Sequence, residues 1–463
     1  MDSRYACVLV VLVVSFCGFH SAARLEAADA TLFSEIDLNR VGLTRAWYSQ
    51  VAIDRSISRV AGVALHEGSL FVQTDNAMLT NLDAETGRTR WEALVGRPDH
   101  PSTAPGANRL YVAVVNGSRI YVLDRETGAL QWERRLINGP GAGPALTKTR
   151  VYVPMINGRI ESYVLEDSSR PPWVYSSAGR ALIQPVTAEE SVSWSTDLGF
   201  MYVGRSEDPG VRYRLETDFS IASQPAYQYP FFYTGSLDGY VYSVHELSGN
   251  HRWRFSAGDP ISRTPAVVGD RVFVCPDRAG MYCLSTETGV ELWWAPRITR
   301  FLGASPDRVF ATDEVDKLYV LDAKTGARIG VLPFRGLSLF ISNSQTDRVY
   351  LGSTSGLIQC LHDVSQVQPL QYHISKEDVD KAAEAAAAAA AADAKEEAPA
   401  KQPAGPAPDP FGGADPFGGG GGAPADDPFG GGNDAPADDP FGGGNNDAPA
   451  DDGGSDPFDD PFG

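Results

Sequence analysis

The sequence has no apolar run long enough to cross a bilayer and no excess of basic residues. Its longest apolar stretch, ACVLVVLVVSFCGF at 6–19, has 14 residues, whereas a membrane-spanning helix needs about 20. The chain has 39 Lys and Arg against 59 Asp and Glu, which gives a net charge of −20. Because nucleic-acid binding requires basic side chains that neutralise phosphates, we expect no nucleic-acid partner.

The apolar stretch near the N-terminus has a different interpretation. It follows Arg4 and precedes a series of small residues, as in a secretory signal peptide. Residues 1–30 are therefore predicted to be a signal-peptide region, either cleaved after Ala23 or Ala30 or kept as an uncleaved anchor. Cys17 is a poor lipidation site because the bulky Phe16 precedes it. Export across the inner membrane predicts a location in the periplasm or cell envelope.

The C-terminal end carries most of the negative charge. From about residue 376 it has 4 Lys and 20 acidic residues, which is −16 of the total of −20. An Ala-rich stretch at 375–398 predicts a helical spacer. Residues 399–463 are rich in Gly, Pro and Asp, cannot bury enough apolar surface to fold, and are predicted to be disordered.

This predicted tail repeats one short motif. Asp-Pro-Phe occurs six times, beginning at positions 409, 415, 427, 439, 456 and 460. Repetition favours multivalent binding, so the tail is either a weak multivalent ligand for an envelope partner or an acidic solvating segment. Asp-Pro-Phe also resembles ligands of endocytic adaptors, which an exported chain does not meet.

Between the two ends, residues 44–372 repeat one unit. Apolar strand starts of the type LYV or VFV recur eight times at intervals of 37 to 41 residues. They begin at positions 70, 110, 151, 192, 231, 272, 309 and 349. A period near forty with almost no helix signal is typical of a β-propeller blade. The sequence therefore predicts an all-β fold with eight blades.

Each unit contains a β-hairpin with one strand before it and one after it. LYVAVVNGSRIYVLD at 110–124 places two apolar runs around a tight turn. Such turns require positive φ angles, which three dipeptides supply: Asn116-Gly117, Asn157-Gly158 and Asp238-Gly239. The predicted blade therefore has four antiparallel strands.

The eighth unit lacks a final strand of its own. TRAWYSQVAI at 44–53 resembles that missing strand and places Trp47 in the repeated aromatic position. We predict that this N-terminal strand completes blade eight and closes the ring, which removes two exposed sheet edges.

The turn after each hairpin has a recurrent motif, as in LDAETGRTRW at 82–91 and LDRETGALQW at 123–132. Here the sequence resembles the PQQ-type repeat family, in which the outer-strand Trp packs against a neighbouring blade. The resemblance covers about 320 residues. It assigns a blade-docking role to Trp47 and to four Gly and Trp pairs, namely Gly87 with Trp91, Gly128 with Trp132, Gly249 with Trp253, and Gly289 with Trp293.

Some blades depart from the motif. Ser169 stands in place of Gly before Trp173, blade four has Tyr213 for the aromatic residue, and blade seven has Gly330 where Trp is expected.

The resemblance also implies an enzyme alternative, a dehydrogenase with a quinone cofactor and Ca²⁺ in the central funnel. Such enzymes have adjacent cysteines that form a disulfide over the cofactor, and long insertions around the entrance. This chain has no two adjacent cysteines, and its blade lengths vary too little for a lid-sized loop. We therefore predict no catalytic residue, no cofactor and no small-molecule substrate.

Other residues that could bind a metal or take part in catalysis have structural interpretations. His245 and His251 have no supporting metal ligands at a suitable spacing, so we interpret them as solvated. Asp83, Asp124 and Asp322 begin the recurrent turns, where Asp caps its own backbone.

The cysteines of blade six leave two alternatives open. Cys275 and Cys283 flank a turn ending at Gly280, and a three-residue turn would set them on opposed strand positions, within reach of a disulfide. They are either bonded or two small buried thiols. Cys360 occupies the same repeat position as Cys283 and is predicted to be a buried free thiol.

The remaining candidates are aromatic residues for protein contact. Tyr229 and Phe231 lie at a turn where other blades are polar, and exposed aromatic side chains are typical anchors. The alternative is that they fold back onto the irregular blade four. Trp173, Tyr175 and Trp194 lie in blades three and four, which we predict to face a partner.

These features favour a non-catalytic, monomeric scaffold of the bacterial cell envelope that binds a protein partner. The chain is similar to propeller scaffolds of the outer-membrane barrel-assembly machinery, from which it departs in its long acidic tail and in having no convincing lipidation cysteine. The alternatives are a PQQ- and Ca²⁺-dependent dehydrogenase and a purely structural envelope protein.

Overall fold

The computed structural model describes residues 31–372 together with Lys376 and Lys381. The chain divides into two units, Met1–Glu396 and Glu397–Gly463, and all described residues belong to the first. The predicted signal-peptide region and the predicted tail lie outside the described residues, as does the predicted spacer except for its two lysines.

The described residues form eight four-stranded antiparallel sheets, preceded by one short helix. The N-terminal elements are α1 (Glu35–Arg40) and β1 (Leu43–Gln50). Blades one and two consist of β2 (Val60–His66), β3 (Ser69–Thr74), β4 (Met78–Asp83), β5 (Thr89–Leu94), β6 (Gly106–Ala107), β7 (Tyr111–Asn116), β8 (Arg119–Asp124) and β9 (Leu130–Arg135). Blades three and four consist of β10 (Ala145–Leu146), β11 (Arg150–Pro154), β12 (Arg159–Val164), β13 (Trp173–Ser176), β14 (Val186–Thr187), β15 (Ser191–Ser195), β16 (Phe200–Arg205) and β17 (Val211–Glu216).

The other four blades follow the same order. Blades five and six consist of β18 (Ala226–Gln228), β19 (Phe231–Gly235), β20 (Tyr240–His245), β21 (His251–Ser256), β22 (Ala266–Val268), β23 (Arg271–Val274), β24 (Met281–Ser285) and β25 (Glu291–Ala295). Blade seven consists of β26 (Arg300–Ala304), β27 (Arg308–Thr312), β28 (Lys317–Asp322) and β29 (Arg328–Pro333). Blade eight takes β30 (Leu339–Ile341), β31 (Val349–Gly352) and β32 (Leu357–Asp363) from the C-terminal part.

The fourth strand of blade eight is β1. It pairs antiparallel with β32 from Leu43 opposite Asp363 to Gln50 opposite Leu357, with Trp47 opposite Cys360. The prediction of an eight-bladed propeller closed by an N-terminal strand is confirmed. The second and third strands of the blades are largely buried on both sides, as in β3 and β7, because neighbouring blades cover them.

The meander of each blade defines two faces of the ring. Since successive strands are antiparallel, the turn between the second and third strands lies at the same end as the connection to the next blade. We call this end the connection face. The other end, which we call the turn face, carries the turns between the first and second strands and between the third and fourth.

An aromatic ring on each of several outer strands reaches the next blade. Its polar hydrogen is donated to a backbone carbonyl oxygen there, at distances of 2.6 to 3.0 Å. The donor and acceptor residues are Trp47 and Ala84, Trp91 and Arg125, Trp132 and Leu165, Tyr213 and His245, Trp253 and Thr286, and Trp293 and Ala323.

The same rings lie against glycines of the recurrent turn. A Cβ atom at Gly128 would stand 2.6 Å from the ring of Trp91, and one at Gly87 would stand 2.3 Å from that of Trp47. Gly249, Gly289 and Gly326 meet the rings of Tyr213, Trp253 and Trp293 in the same way. These glycines also have positive φ angles, so both the backbone and the packing require the absence of a side chain.

The irregular blades use other contacts at this joint. At Gly330 of blade seven, a Cβ atom would stand 2.4 Å from Cγ1 of Val41. The segment that follows α1 therefore occupies the space of the missing aromatic ring. In blade three, Tyr175 is buried and its hydroxyl donates to the carbonyl of Arg205 at 3.0 Å, while Trp173 lies under the guanidinium of Arg150 at 3.4 Å.

The aspartates of the recurrent turns cap their own backbone, as their sequence positions indicate. Oδ1 of Asp124 accepts hydrogen bonds from the hydroxyl of Thr127 at 2.7 Å and from its backbone N–H at 2.8 Å. These bonds hold the pKa of Asp124 below its ordinary value.

The prediction that Cys275 and Cys283 of blade six occupy opposed strand positions is wrong. The register pairs Cys283 with Phe273 and Tyr282 with Val274, because the turn between β23 and β24 is longer than three residues. Cys275 and Cys283 are both free and buried, as is Cys360. Burial raises the pKa of each thiol, to about 12 for Cys275 and Cys283.

Substitution of glycine by alanine tests the joint between blades. Gly128 and Gly269 both have positive φ, but a Cβ atom at Gly269 meets nothing within 4 Å. Both substitutions strain the backbone by about 1 kcal/mol, and only Gly128→Ala also displaces a buried ring, which costs about 1–3 kcal/mol more. We expect urea unfolding to show the greater loss of unfolding free energy for Gly128→Ala. Equal losses for the two variants would contradict the packing of Trp91 against Gly128 as the joint between blades.

Candidate protein-docking face

Exposed apolar side chains occupy five consecutive loops on the connection face. The loops run from the connection after blade two to the connection after blade four, alternating with the central turns of blades three and four. We call these side chains the apolar row. Its members, with their exposed fractions, are Ile137 (66%), Ile156 (50%), Leu182 (43%), Leu198 (60%) and Phe219 (63%).

An ion pair fixes the middle of the apolar row. The backbone N–H of Arg180 donates to Oδ1 of Asp197 at 2.6 Å, and its Nε donates to Oδ2 at 2.7 Å. The hydrogen bond from the Arg180 backbone holds the pKa of Asp197 below its ordinary value, aided by the guanidinium. The contact ties the loop of Leu182 to that of Leu198, whose side chain lies against Gly179.

A buried carboxylate supports the first loop of the row. Glu161 is fully buried in β12, and its carboxylate accepts hydrogen bonds from Nδ2 of Asn138 at 3.0 Å and from the backbone N–H of Ile137 at 3.4 Å. The hydroxyl of Tyr163 donates to the same carboxylate. Burial, together with this bond, raises the pKa of Tyr163.

Two hydroxyls fix the last loop of the row. The carbonyl oxygen of Phe219 accepts from Oγ1 of Thr217 at 2.7 Å and from Oγ of Ser236 at 3.0 Å. The backbone is therefore held while the ring of Phe219 stays exposed. An apolar surface held in one conformation loses little entropy on association, so the arrangement suits protein docking.

The rest of the connection face lacks a comparable series among the described residues. Ile57 and Val315 are exposed there, at 75% and 66%, but each is isolated from other exposed apolar side chains in the neighbouring loops. Single exposed apolar residues are normal on a protein surface, whereas a contiguous group marks an interaction site. The row therefore singles out blades three and four.

Several aromatic residues predicted as partner contacts lie elsewhere. Trp194 is fully buried and Tyr175 is 4% exposed, because both fill the space between blades three and four, where their ring centroids lie 5.4 Å apart. Neither can touch a partner, and their prediction as contact residues is wrong. Trp173 is half-buried beneath Arg150.

Tyr229 and Phe231 are half-buried on the turn face. The ring of Phe231 lies 5.4 Å from that of His245 and under the guanidinium of Arg252 at 4.6 Å. Phe231 therefore packs within its own blade and not on blade four, which was the alternative. These two residues face away from the apolar row.

The central turns alone did not signal the row in the sequence. Ile156 in MINGR and Leu198 in TDLGF are apolar where blade six has PDRAG and blade eight has STSG, but blades five and seven also have an apolar residue there, Leu237 and Val315. The other three members lie in the connections between blades, where the repeat sets no pattern against which an apolar residue stands out.

The axial channel contains a cavity of about 340 Å³ at the connection face. None of its lining residues is a carboxylate, the ligand that Ca²⁺ prefers, so the lining does not fit the Ca²⁺ and quinone pair of the dehydrogenase alternative. Its lining consists of Ala222, Ser223, Gln224, Ser262, Arg263, Thr264, Phe273, Cys275, Arg300, Phe301, Phe340 and Ser342.

The histidines provide no metal centre either. Nδ1 of His245 accepts hydrogen bonds from the backbone N–H groups of Leu247 and Ser248, at 3.2 and 3.4 Å, so it caps its turn as Asp does elsewhere. His251 is exposed. Across residues 31–372, no group of three or more His, Cys, Asp or Glu side chains is placed to hold a metal ion.

The fold and these joints define a PQQ-like eight-bladed β-propeller. A family model described as outer membrane protein assembly factor BamB matches residues 24–170 and 237–363, which is more than half of the chain. The chain belongs to this family. The unmatched interval contains blade four and three members of the apolar row, Leu182, Leu198 and Phe219.

Solved structures agree on the fold. BamB from Moraxella catarrhalis is similar with a TM-score of 0.56 and 14% identity, over 69% of this chain and 99% of that one. The computationally designed Ika8 protein has a TM-score of 0.53 and 14% identity, over 66% of this chain and 96% of that one. None of the curated protein sequences compared with the chain matches it significantly.

Within the described part of the chain, no helix is both long and apolar enough to span a membrane.

Removal of the Asp197 carboxylate tests the support of the row. We expect Asp197→Ala to raise the hydrogen-exchange rate of peptides covering 178–185 about tenfold, because the Arg180 amide loses its acceptor. The pair is partly exposed to solvent, so global stability should fall by less than about 1 kcal/mol. Asp208→Ala, which removes an exposed ion pair with Arg205 on the turn face, is the control. Unchanged exchange at 178–185 would contradict the role of Asp197.

Proposed function

We propose that this chain is a non-catalytic scaffold of the bacterial cell envelope that binds a protein partner through the apolar row. The observation that carries the proposal is the row itself, five exposed apolar side chains on consecutive loops. Hydrogen bonds hold the loops of Ile137, Leu182, Leu198 and Phe219 to the propeller. Burial of such side chains contributes about 25 cal/mol per Å² of apolar surface removed from water.

Membership of the BamB family supports a more specific role in the assembly of outer-membrane proteins. In this role the propeller acts as a monomer and uses its connection face for a partner associated with the membrane. The predicted signal peptide would deliver the chain to the periplasm, where such a partner is accessible.

The mixed polarity around the row favours a specific partner over nonspecific adhesion. The Arg180 and Asp197 side chains lie among the apolar residues, at 65% and 27% exposure. A partner that covers Leu182 and Leu198 must also meet this ion pair. Charged groups within an interface select the partner and its orientation.

The rival functions make different predictions. A quinone-dependent dehydrogenase would gain cofactor absorbance after reconstitution with the quinone and Ca²⁺, whereas the carboxylate-free lining of the axial cavity favours no such binding. A purely structural envelope protein would yield no saturable partner.

Photo-crosslinking in bacterial cells tests the proposal. A photoreactive amino acid replaces Leu198 in one variant and Val315 in another, since both are exposed, apolar and on central turns of the connection face. We expect a discrete protein adduct from position 198 and none from position 315. Adding Leu182→Asp and Phe219→Asp to the first variant should reduce the adduct at least tenfold.

Equal adducts from positions 198 and 315, or an adduct unaffected by the two aspartates, would exclude the row as the docking surface. Circular dichroism of each variant verifies that the propeller is intact.

A further inference from the structure

The axial cavity at the connection face has a basic wall. Arg263 of blade six and Arg300 of blade seven both line the cavity, and none of its lining residues is acidic. Arg263 precedes β22 and Arg300 begins β26, which are the first strands of their blades. Two adjacent blades therefore each contribute one positively charged side chain to the same cavity.

The charges of the two arginines are balanced to different extents. Nη1 of Arg263 lies 3.5 Å from Oδ1 of Asp277, which also accepts a hydrogen bond from the hydroxyl of Ser262. Among the described residues, the guanidinium of Arg300 has neither an ion-pair partner nor a hydrogen-bond acceptor. It lies over the ring of Phe340, 5.2 Å from the centroid, and this contact leaves its N–H groups available. Arg300 is therefore free to bind an anion in the cavity.

Aromatic rings form the apolar part of the lining. The rings of Phe273 and Phe301 are stacked with their centroids 4.7 Å apart, and both line the cavity together with Phe340. Thr264 is exposed and adds a hydroxyl group. Sites for small molecules are typically apolar with a few polar groups that orient the ligand. An anion held by Arg300 would have such apolar surface beside it.

The size and lining of the cavity restrict the ligand. Its volume of about 340 Å³ is near the lower end of the range for ligand pockets, about 300–1,000 Å³. A carboxylate fits the guanidinium group, which can donate two parallel hydrogen bonds to it. Inorganic phosphate also accepts such bonds, but it has no apolar part to contact the phenylalanine rings. The lining therefore favours a small organic carboxylate over a simple inorganic anion.

We infer that the axial cavity binds a carboxylate attached to an apolar group, through Arg300 with support from Arg263. The carboxylate belongs either to a free small acid or to an acidic residue of a polypeptide segment that enters the channel, and both present the same chemistry. Asp277 weakens the site because it competes for Arg263. The inference does not depend on the apolar row or on the proposed partner.

Binding of N-acetylphenylalanine to the full-length chain tests the site, measured by saturation-transfer NMR. N-acetylphenylalaninamide has the same apolar group without the negative charge. We expect saturable binding of the acid and at least tenfold weaker binding of the amide, because the amide cannot form the charge-assisted hydrogen bonds. Inorganic phosphate should compete with the acid at least fivefold less well than unlabelled acid does. No saturable binding of the acid, or equal binding of acid and amide, would overturn the inference.

Substitutions assign the binding to the arginines. We expect Arg300→Gln to weaken binding of the acid at least tenfold. Arg278→Gln is the matched control, since Arg278 is exposed on the central turn of blade six and does not line the cavity. Asp277→Asn releases Arg263 and should strengthen binding about threefold, a gain that partial unfolding does not produce.

Circular dichroism verifies that each variant keeps the propeller fold. Unchanged binding in a folded Arg300→Gln variant, or an equal loss in Arg278→Gln, would overturn the inference. Weaker binding in Asp277→Asn would contradict the support from Arg263.

A blocked dipeptide distinguishes the two sources of the carboxylate. N-acetylaspartylphenylalaninamide carries its carboxylate on a side chain and has no free terminus. Binding as tight as that of the acid would assign the site to an acidic residue of a polypeptide segment, whereas binding of the acid alone would assign it to a free small acid. Either result supports a carboxylate site in the axial cavity.

Discussion

One contact recurs around the propeller and holds its blades together: an aromatic side chain on the outer strand of one blade lies against a glycine of the next blade. Glycine is required at this position for two reasons. Its φ angle is positive, and any Cβ atom would overlap the aromatic side chain, as for Gly128 and Trp91. The ring also donates a hydrogen bond to a carbonyl of the same turn. At five of the eight joints, one local motif thus sets the position and orientation of neighbouring blades.

The N-terminal segment extends this contact to the seam of the ring. Trp47, the aromatic side chain on the outer strand of blade eight, packs on Gly87. Val41 covers Gly330, where the outer strand of blade seven has no aromatic side chain. Because the seam is closed by the same packing as the other joints, the propeller has no open sheet edge there. The loops of the connection face are then carried on a closed frame, and loops on rigid frames are where binding usually occurs.

The periodicity of the sequence was sufficient for the fold. The forty-residue repeat, the Gly and Trp spacing and the displaced Trp47 predicted the number of blades and the closing strand, since each is a local pattern. The exposed apolar row required tertiary information. Trp194 and Leu198 lie four residues apart, yet one is fully buried and the other is 60% exposed, and only the packing of blade three against blade four separates them.

The seam provides the most direct test of this account. Trp47→Ala removes a buried ring from the joint, whereas Tyr48→Ala removes a neighbouring ring of β1 that is 61% exposed. If the joint closes the propeller, Trp47→Ala lowers the free energy of unfolding by about 3–5 kcal/mol, and Tyr48→Ala changes it by less than about 1 kcal/mol. Urea unfolding measures both, and a similar small loss for the two substitutions would contradict the account.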